Sequence, residues 1–267
     1  TACPVPERTG AMKVVTNASE LPSACAFVPT MGALHAGHAS LFTLAKKYSE
    51  NVVASIFVNP LQFENQEDLA QYPRTPDIDI EIAAASGVTH LWLPAQSEIY
   101  PAEFIKQSAG PMGDIYEGKS RPGHFDGVLT VVRRLFDLVN PKVAIFGEKD
   151  FQQLQLIKTI ADSVEIITAP TIRESDGLAL SSRNIRLSAE GRVAASVIYR
   201  ALTQATTEDE LRAVLASESA LTLDYADFID ETTFTHAQMD TQNVRAVVAG
   251  WINGVRLIDN MPMGNRA

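Results

Sequence analysis

Positive charge is scarce in this chain of 267 residues, and so are long apolar runs. Its 22 Lys and Arg residues stand against 32 Asp and Glu residues, which leaves a formal net charge of −10. A protein that binds a nucleic acid needs cations along the phosphate backbone. Nucleic-acid binding is therefore not expected, although a few placed cations and backbone amides are enough to bind a single nucleotide.

Cysteine is equally scarce, and no membrane or targeting segment is recognisable. Cys3 and Cys25 provide neither a disulfide framework nor a metal-ligand spacing, so we expect an exposed thiol and a small core residue. No run of about 18 apolar residues occurs. The polar, proline-containing start is not a signal segment and is expected to be disordered. These features predict a cytoplasmic protein.

Apolar stretches of strand length alternate with longer amphipathic segments over the first two thirds of the chain. Near-continuous apolar character is typical of parallel strands that are covered on both faces, and helical spacing of apolar residues marks the segments between them. The predicted strands cover 24–29, 52–58, 89–93, 142–146 and 165–168, and the predicted helices cover 37–48, 76–85, 125–138 and 150–162. This alternation predicts an α/β fold with a Rossmann-like, doubly wound parallel sheet.

The pattern changes after residue 173, where a polar loop leads into a smaller α+β region. Helices are predicted at 189–205 and 207–216, followed by short strands at 225–229, 245–251 and 255–258. The turn Ile252-Asn253-Gly254 joins the last two strands. We therefore expect a Rossmann-like domain at 1–173 and a smaller C-terminal domain at 174–267.

The strongest functional signal is the segment PTMGALHAGH at 29–38, which follows a predicted strand and opens a helix. In such a sheet ligands bind beyond the carboxyl ends of the strands, and a helix N-terminus offers free amides to phosphate. Gly32 and Gly37 allow the backbone to approach a ligand closely. His35 and His38 project to one side of the helix start, where both can donate hydrogen bonds to a reacting phosphate. The alternative is a pair of surface histidines at a helix cap.

Three further polar features are ambiguous from the residues alone. GEKD at 147–150 follows another predicted strand; its lysine could bind phosphate and its aspartate ribose, or the segment is an ordinary helix start. LSSRN at 180–184 could clamp a triphosphate from a mobile loop, or it is a polar turn. Gln62 and Gln153 could bind a polar, uncharged part of a substrate, although isolated glutamines are usually surface residues.

Taken together, the ordered blocks resemble the pantothenate synthetase family of the nucleotidylyl-transferase superfamily. The matching blocks are, in chain order, PTMGALHAGH, SIFVNPLQF, YPRTPD, SRPGHFDGVLTVV, FGEKDFQQL, DGLALSSRN and RLIDN. The resemblance implies a homodimeric ligase that condenses pantoate with β-alanine using ATP and Mg²⁺, and that releases AMP and pyrophosphate through an enzyme-bound pantoyl adenylate. It also implies that the first domain binds ATP and pantoate and that the smaller domain acts as a lid.

The resemblance assigns roles to individual residues. His38 is implied as the general acid and His35 as its phosphate-binding partner, and the other implied catalytic groups are Lys149, Ser181, Ser182 and Arg183. The implied ATP-binding residues are Met31, Gly32, Ala33, Leu34, His35, Ala36, Gly37, His38, Gly147, Glu148, Lys149, Asp150, Ile172, Leu180, Ser181, Ser182 and Arg183. Gln62 and Gln153 are implied for pantoate, and the surrounding pocket residues are Asn59, Tyr72, Arg121 and His124.

The metal site departs from the pattern of the family. Some family members carry two adjacent aspartates after YPRTP, whereas Ile78 separates Asp77 from Asp79 in this sequence. Only Asp79 is therefore implied as an acidic group near the metal, next to the metal's own ligands.

Other functions remain open on the sequence alone. A nucleotidyltransferase of the same superfamily would attack ATP with a phosphate, release only pyrophosphate, and need cations in place of Gln62 and Gln153. A non-enzymatic nucleotide-binding or assembly protein would need neither histidine of the first motif. A tRNA-using synthetase is disfavoured by the acidic charge and by the lack of an anticodon-binding region.

Overall fold

The fold is built on a six-stranded sheet in which every neighbouring pair of strands is parallel. The computed structural model describes residues 11–64 and 66–264, so the predictions for Cys3 and the N-terminal tail lie outside it. The strands are β1 (Lys13–Val15), β2 (Ala26–Thr30), β3 (Val52–Ile56), β4 (His90–Trp92), β5 (Val143–Gly147) and β6 (Glu165–Ala169). Their order is β1-β4-β3-β2-β5-β6, which confirms the doubly wound α/β prediction and makes β2 and β5 neighbours where the winding reverses.

Helices cover both faces of this sheet. The helices within the described residues are α1 (Ala36–Ala45), α2 (Gln66–Gln71), α3 (Pro76–Ala85), α4 (Gln96–Ile99), α5 (Glu117–Ser120), α6 (His124–Val139), α7 (Phe151–Thr159), α8 (Ala189–Gln204) and α9 (Glu208–Ala216). Phe27 of β2 packs into an apolar cluster with α6 and α7, whereas its neighbours Ala26 and Val28 pack into a second cluster with α1 and α3. Successive strand residues point to opposite faces, so strands covered on both sides are apolar throughout. Among the described residues, no helix is both long and apolar enough to cross a membrane.

The C-terminal region forms a second, antiparallel sheet. Its strands are β7 (Thr222–Asp230), β8 (Val244–Ile252) and β9 (Val255–Pro262), which pair in the order β7-β8-β9. Asn253 and Gly254 make the two-residue loop between β8 and β9 with φ values of +50° and +73°, as an Asn-Gly hairpin turn requires. Phe234 and Val247 from this region belong to the same apolar cluster as α6 and α7, so the two sheets share part of one core.

The structure extends the sequence prediction at short and polar elements. β1 and the helices α2, α4 and α5 are too short to show a period, and two of the three β1 residues are exposed. β7 begins three residues before the predicted start, and the apolar pattern did not detect these residues because they are exposed. β9 continues past residue 258 through Asp259 and Asn260, which are buried polar groups with partners outside their own strand. An apolar pattern does not detect such residues.

Candidate active site

A cleft of about 270 Å³ opens at the carboxyl ends of β2 and β5. This is the position where a doubly wound sheet binds ligands, because loops on either side of the reversal point diverge there. Most of the predicted site residues line it: Met31, His35, Gly37, His38, Asn59, Gln62, Tyr72, Arg121, His124, Gly147, Lys149, Asp150, Gln153, Ile172, Leu180, Ser181, Ser182 and Arg183. The structure therefore brings together segments that are more than 100 residues apart in the chain.

The remaining predicted residues do not line the cleft. Gly32, Ala33 and Leu34 lie in the loop between β2 and α1, and Ala36 is the first residue of α1. Glu148 pairs with Arg245 at 2.8 Å. Asp79, the predicted metal residue, also lies outside the residues that line the cleft. These residues lie next to residues that line the cleft, but they do not line it themselves.

Asp79 holds the loop that carries the two histidines. Its side chain is 2% exposed, and its carboxylate accepts hydrogen bonds from Ala33 N at 3.1 Å, Leu34 N at 2.7 Å and Thr75 Oγ1 at 3.0 Å. Gly32 has a φ of +82°, and a Cβ there would lie 2.9 Å from Asp79 Oδ2, so the turn requires glycine. Both carboxylate oxygens are therefore occupied by the loop. No group of three or more His, Cys, Asp or Glu residues within 11–64 and 66–264 could hold a metal ion.

His35 and His38 lie together at the N-terminus of α1, with ring centroids 4.2 Å apart. His35 Nδ1 accepts from Gly37 N at 3.1 Å, and His38 Nδ1 accepts from His35 N at 3.3 Å. The proton of each neutral ring is therefore assigned to Nε2. Burial lowers the pKa of both rings, that of His38 to about 3, and the nearby Lys149 charge acts in the same direction. At neutral pH both rings are neutral and present an Nε2–H donor.

Lys149 and the loop at 180–183 border the same cleft. Lys149 lies on the 3₁₀ turn Glu148–Asp150, directly after β5. Ser182 Oγ donates to Ala33 O at 3.2 Å, which places the 180–183 loop against the histidine segment. Leu180 N donates to Ile172 O at 2.9 Å, and this bond joins two of the predicted nucleotide-binding residues. Hydroxyls, an ammonium group and imidazole donors are thus available to a polyanion.

The amide of Gln62 is held by a network that also fixes Arg121. Asn59 Nδ2 donates to Gln62 Oε1 at 3.0 Å and to Gly127 O at 3.1 Å. His124 Nδ1 lies 2.9 Å from Gln62 O, and its Nε2 lies 3.1 Å from Arg121 Nη1. These contacts assign a neutral His124 ring that donates through Nδ1 and accepts through Nε2. Burial lowers the pKa of this ring to about 3, which agrees with a neutral ring. Asn59 and His124 therefore position Gln62 and Arg121.

Helix α6 comes unusually close to this network. Gly127 faces the turn that carries Gln62, and a Cβ at this position would lie 2.2 Å from Leu61 O. The helix can approach the Gln62 turn only with glycine at residue 127. The Asn59 side chain also holds the backbone of this turn, since its Oδ1 accepts a hydrogen bond from Leu61 N at 3.2 Å.

Two adjacent glutamines on α7 have opposite environments. Gln153 lines the cleft. Gln152 is buried behind it, where its Oε1 accepts from Glu117 N and its Nε2 donates to Met112 O at 2.7 Å and Ile115 O at 2.8 Å. The choice of Gln153 over Gln152 as a cleft residue thus agrees with the geometry.

Sequence reasoning missed the apolar wall of the cleft. Four residues of α6 that the helical pattern assigns to the core also line the cleft, together with an aromatic residue after β3: Val128, Val131, Val132, Leu135 and Phe57. Their spacing predicts burial equally well against protein or against a ligand, so the pattern contains no signal that separates the two. Thr30 was also missed; its Oγ1 donates to Ser55 O at 2.7 Å and accepts from Gly32 N at 3.2 Å.

Comparison with known proteins identifies one family. The pantoate-beta-alanine ligase family model matches residues 6–262. The chain is 48% identical to the pantothenate synthetase of Acidothermus cellulolyticus over 98% of this chain and 93% of that protein. It is 42% identical to that of Thermobifida fusca over 89% of each.

Solved structures agree with this result. Pantothenate synthetase from Thermus thermophilus superposes with a TM-score of 0.90 at 40% identity, over 95% of this chain and all of that one. Pantoate-beta-alanine ligase from Francisella tularensis, complexed with beta-gamma ATP and beta-alanine, superposes with a TM-score of 0.81 at 37% identity, over 95% and 98% of the two chains. This chain therefore belongs to the pantoate-beta-alanine ligase family.

Proposed function

We propose that this protein joins pantoate to β-alanine with ATP and forms pantothenate, AMP and pyrophosphate through pantoyl adenylate. The supporting observation is the convergence of donors and amides on one cleft: His35, His38 and Lys149 border it together with Gln62 and Gln153. Imidazole and ammonium donors suit a triphosphate, and amides suit the two hydroxyls of pantoate.

The first step is attack of a pantoate carboxylate oxygen on the α-phosphorus of ATP. The bond from that phosphorus to pyrophosphate breaks, and negative charge builds on the phosphoryl oxygens and the leaving group. The Nε2–H groups of His35 and His38, the Lys149 ammonium and the 180–183 loop stabilise this charge. Both rings are neutral without ligand, and an adjacent polyanion raises their pKa by favouring the charged form. His38 then becomes able to give a proton to pyrophosphate.

The second step is attack of the β-alanine amine on the activated carbonyl carbon. A C–N bond forms, the C–O bond to AMP breaks, and the amine loses a proton. The adenylate must be kept from water until the amine arrives, and the apolar wall contributed by α6 serves this purpose. The family relative from Francisella tularensis was solved with beta-alanine bound, which supports this choice of amine.

Magnesium enters this reaction as the MgATP substrate. The described residues offer no three-residue metal site, and both Asp79 oxygens accept hydrogen bonds from the protein. Mg²⁺ commonly retains water and phosphate oxygens as ligands, so a dedicated cage is not needed. We infer that Asp79 acts on the ion only through the loop that it holds.

Closure over the nucleotide is assigned to the loop region 174–187 rather than to the whole C-terminal unit at 174–267. Movement of the whole unit would break the Arg245–Glu148 ion pair and the core that the two sheets share. The contacts of the loop with the first domain are weaker, such as the 3.2 Å bond from Ser182 to Ala33 O and the 3.9 Å pair of Arg183 with Asp68. The Glu174–Arg192 ion pair and the buried Leu178 connect the start of the loop to the C-terminal unit. The domain boundary at 173/174 stays a prediction.

A homodimer and a cytoplasmic location also stay predictions. Size-exclusion chromatography with light scattering is expected to give about twice the chain mass of 29.0 kDa. A mass equal to that of one chain at micromolar concentration contradicts the dimer.

The decisive experiment is exchange of labelled pyrophosphate into ATP without β-alanine. We expect exchange only when pantoate is present, because the acyl adenylate forms before the amine reacts. Exchange that requires β-alanine would rule out the two-step order, and exchange without pantoate would rule out the substrate. Detection of AMP during full turnover separates this ligase from a nucleotidyltransferase, which releases only pyrophosphate.

A further inference from the structure

The turn that carries Lys149 lacks side-chain capping hydrogen bonds from its neighbours in sequence. It is a 3₁₀ turn, Glu148–Asp150, between β5 and α7, and neither it nor α7 has a side-chain hydrogen bond at its N-cap. Two backbone carbonyls of the turn, those of Glu148 and Lys149, accept hydrogen bonds from Asn260 Nδ2 at 3.0 and 2.8 Å. Asn260 lies on β9, more than 100 residues later in the chain. The backbone of a cleft residue is therefore positioned by a side chain of the second sheet.

Asn260 is itself fixed by Arg245 of β8. Arg245 Nη1 donates to Asn260 Oδ1 at 2.5 Å, its Nη2 donates to Glu148 Oε1 at 2.8 Å, and its Nε donates to Glu231 Oε1 at 2.7 Å. Its guanidinium carbon lies 4.0 Å from the centre of the Phe151 ring. Arg245 and Asn260 are 4% and 5% exposed. The network thus contacts the turn twice, through the Asn260 amide and through the pairing of Arg245 with Glu148. These contacts leave the Asn260 side chain a single orientation.

We propose that Asn260 is a positioning residue for nucleotide binding and adenylate formation, and that it acts through Lys149. Its amide group donates to two carbonyls at once and accepts from Arg245, a combination that neither a carboxylate nor an apolar side chain provides. With this amide in place, the Lys149 backbone is set before ATP arrives, so less ordering is needed when the phosphates bind. The role of Lys149 toward phosphate rests on the proposed function.

The test compares Asn260→Asp with Asn260→Ala and with a control, Asn243→Ala. Asn260→Asp keeps the shape and the partner for Arg245 but removes both donors and turns a carboxylate oxygen toward two carbonyls. Asn243 is the same residue type next to β8, and its side chain is exposed. We expect both Asn260 variants to weaken ATP binding, measured by calorimetry, about tenfold or more, and to slow pyrophosphate exchange by about 10–100-fold. Pantoate affinity should stay within about twofold, and the control should match the wild type.

A double-mutant cycle with Lys149→Met separates positioning from general stabilisation. If Asn260 acts through Lys149, adding Asn260→Asp to Lys149→Met should change ATP affinity by less than about twofold, because the group that it positions is already gone. Equal losses in both backgrounds would overturn the proposal, as would normal ATP affinity in both Asn260 variants. A loss of pantoate and ATP affinity in parallel with a lower Tm would also overturn it, since that result indicates a purely structural role.

The proposed reaction can fail separately from this inference. A wild-type protein without pantoate-dependent exchange would overturn the reaction. The four ATP affinities, of wild type, Asn260→Asp, Lys149→Met and the double variant, would still decide whether Asn260 acts through Lys149.

Discussion

Replacing Asp79 by Asn separates two roles for this buried carboxylate: holding the histidine loop and assisting a metal ion. Asparagine has the same shape but puts an NH₂ group where one oxygen accepted a hydrogen bond. In one orientation that group faces Ala33 N–H, which is 3.1 Å from Asp79 Oδ2; in the other it faces Leu34 N–H and Thr75 Oγ1. Either way one donor opposes another in a site that is 2% exposed.

The size of the effect follows from the bonds that are lost. A hydrogen bond to a charged group contributes about 1.5–3 kcal/mol, and the milder orientation of the amide loses one such bond and leaves one donor unpaired. We therefore expect the free energy of unfolding to fall by roughly 2–3 kcal/mol. For a chain of this size, that corresponds to a Tm lower by roughly 4–12 °C.

Thermal unfolding without nucleotide and metal, followed by a Mg²⁺ titration of the exchange rate, tests this reasoning. Asp77→Asn is the matched control, because Asp77 lies in the same first turn of α3 but is exposed. Both variants lose a negative charge near a helix N-terminus, which costs only about 0.3–1 kcal/mol. Asp79→Asn should lower the Tm well below the control and slow exchange, with the half-saturating Mg²⁺ concentration unchanged. A Tm equal to that of the control, together with a Mg²⁺ requirement raised about tenfold or more, would refute the loop-anchor role.

Four other outcomes are expected. His38→Ala should slow adenylation by about 10²–10³-fold with a nearly unchanged Tm, as for loss of one preorganised donor; a lower Tm with normal turnover would make His38 only a helix cap. Gln153→Ala should weaken pantoate binding more than ATP binding, whereas Gln152→Ala should mainly lower the Tm, because it loses contacts with three backbone groups. Equal changes in pantoate affinity and Tm for the two variants, measured by calorimetry and thermal unfolding, would contradict this. Arg183→Ala should slow exchange strongly while pantoate affinity barely changes; a normal rate would make 180–183 a plain turn. Burial lowers the pKa of His124 from 6.5 to about 3, so between these values the unfolded chain binds a proton that the folded chain does not. Stability should therefore fall as the pH drops below 6.5, by about 1.4 kcal/mol from this group at pH 5.5. In urea unfolding His124→Gln should lose less stability than the wild type between pH 7.5 and 5.5, and an equal loss would disprove the assignment.

Some of the residues that line the cleft follow from local sequence signals. A buried parallel strand is apolar along its whole length, and the residues after it stand at the carboxyl edge of the sheet, where ligands bind. PTMGALHAGH and FGEKD both have this arrangement, and His35, His38 and Lys149 do line the cleft. The Asn253-Gly254 hairpin was equally predictable, because its positive φ values are a property of those two residues.

Other polar residues could not be sorted by sequence, because their roles depend on what surrounds them. Gln152 and Gln153 are identical in type and adjacent on α7, yet a step of one residue turns a helical side chain by about 100°. One glutamine therefore reaches three backbone groups of the segment 112–117 and the other reaches the cleft. Asn260 looks like a polar strand end until β9 is placed against the Lys149 turn.

By itself the sequence determined most of the strands, the longer helices, the hairpin and the two motifs at the carboxyl ends of β2 and β5. These depend on side-chain spacing and backbone preference within a few residues. Only the tertiary structure decided that β2 and β5 are neighbours and that Asp79 supports a loop. It also decided that a residue from the second sheet positions Lys149. The physical reason is that a buried polar group takes its role from its hydrogen-bond partners, and those partners come from segments whose proximity exists only after the chain has folded.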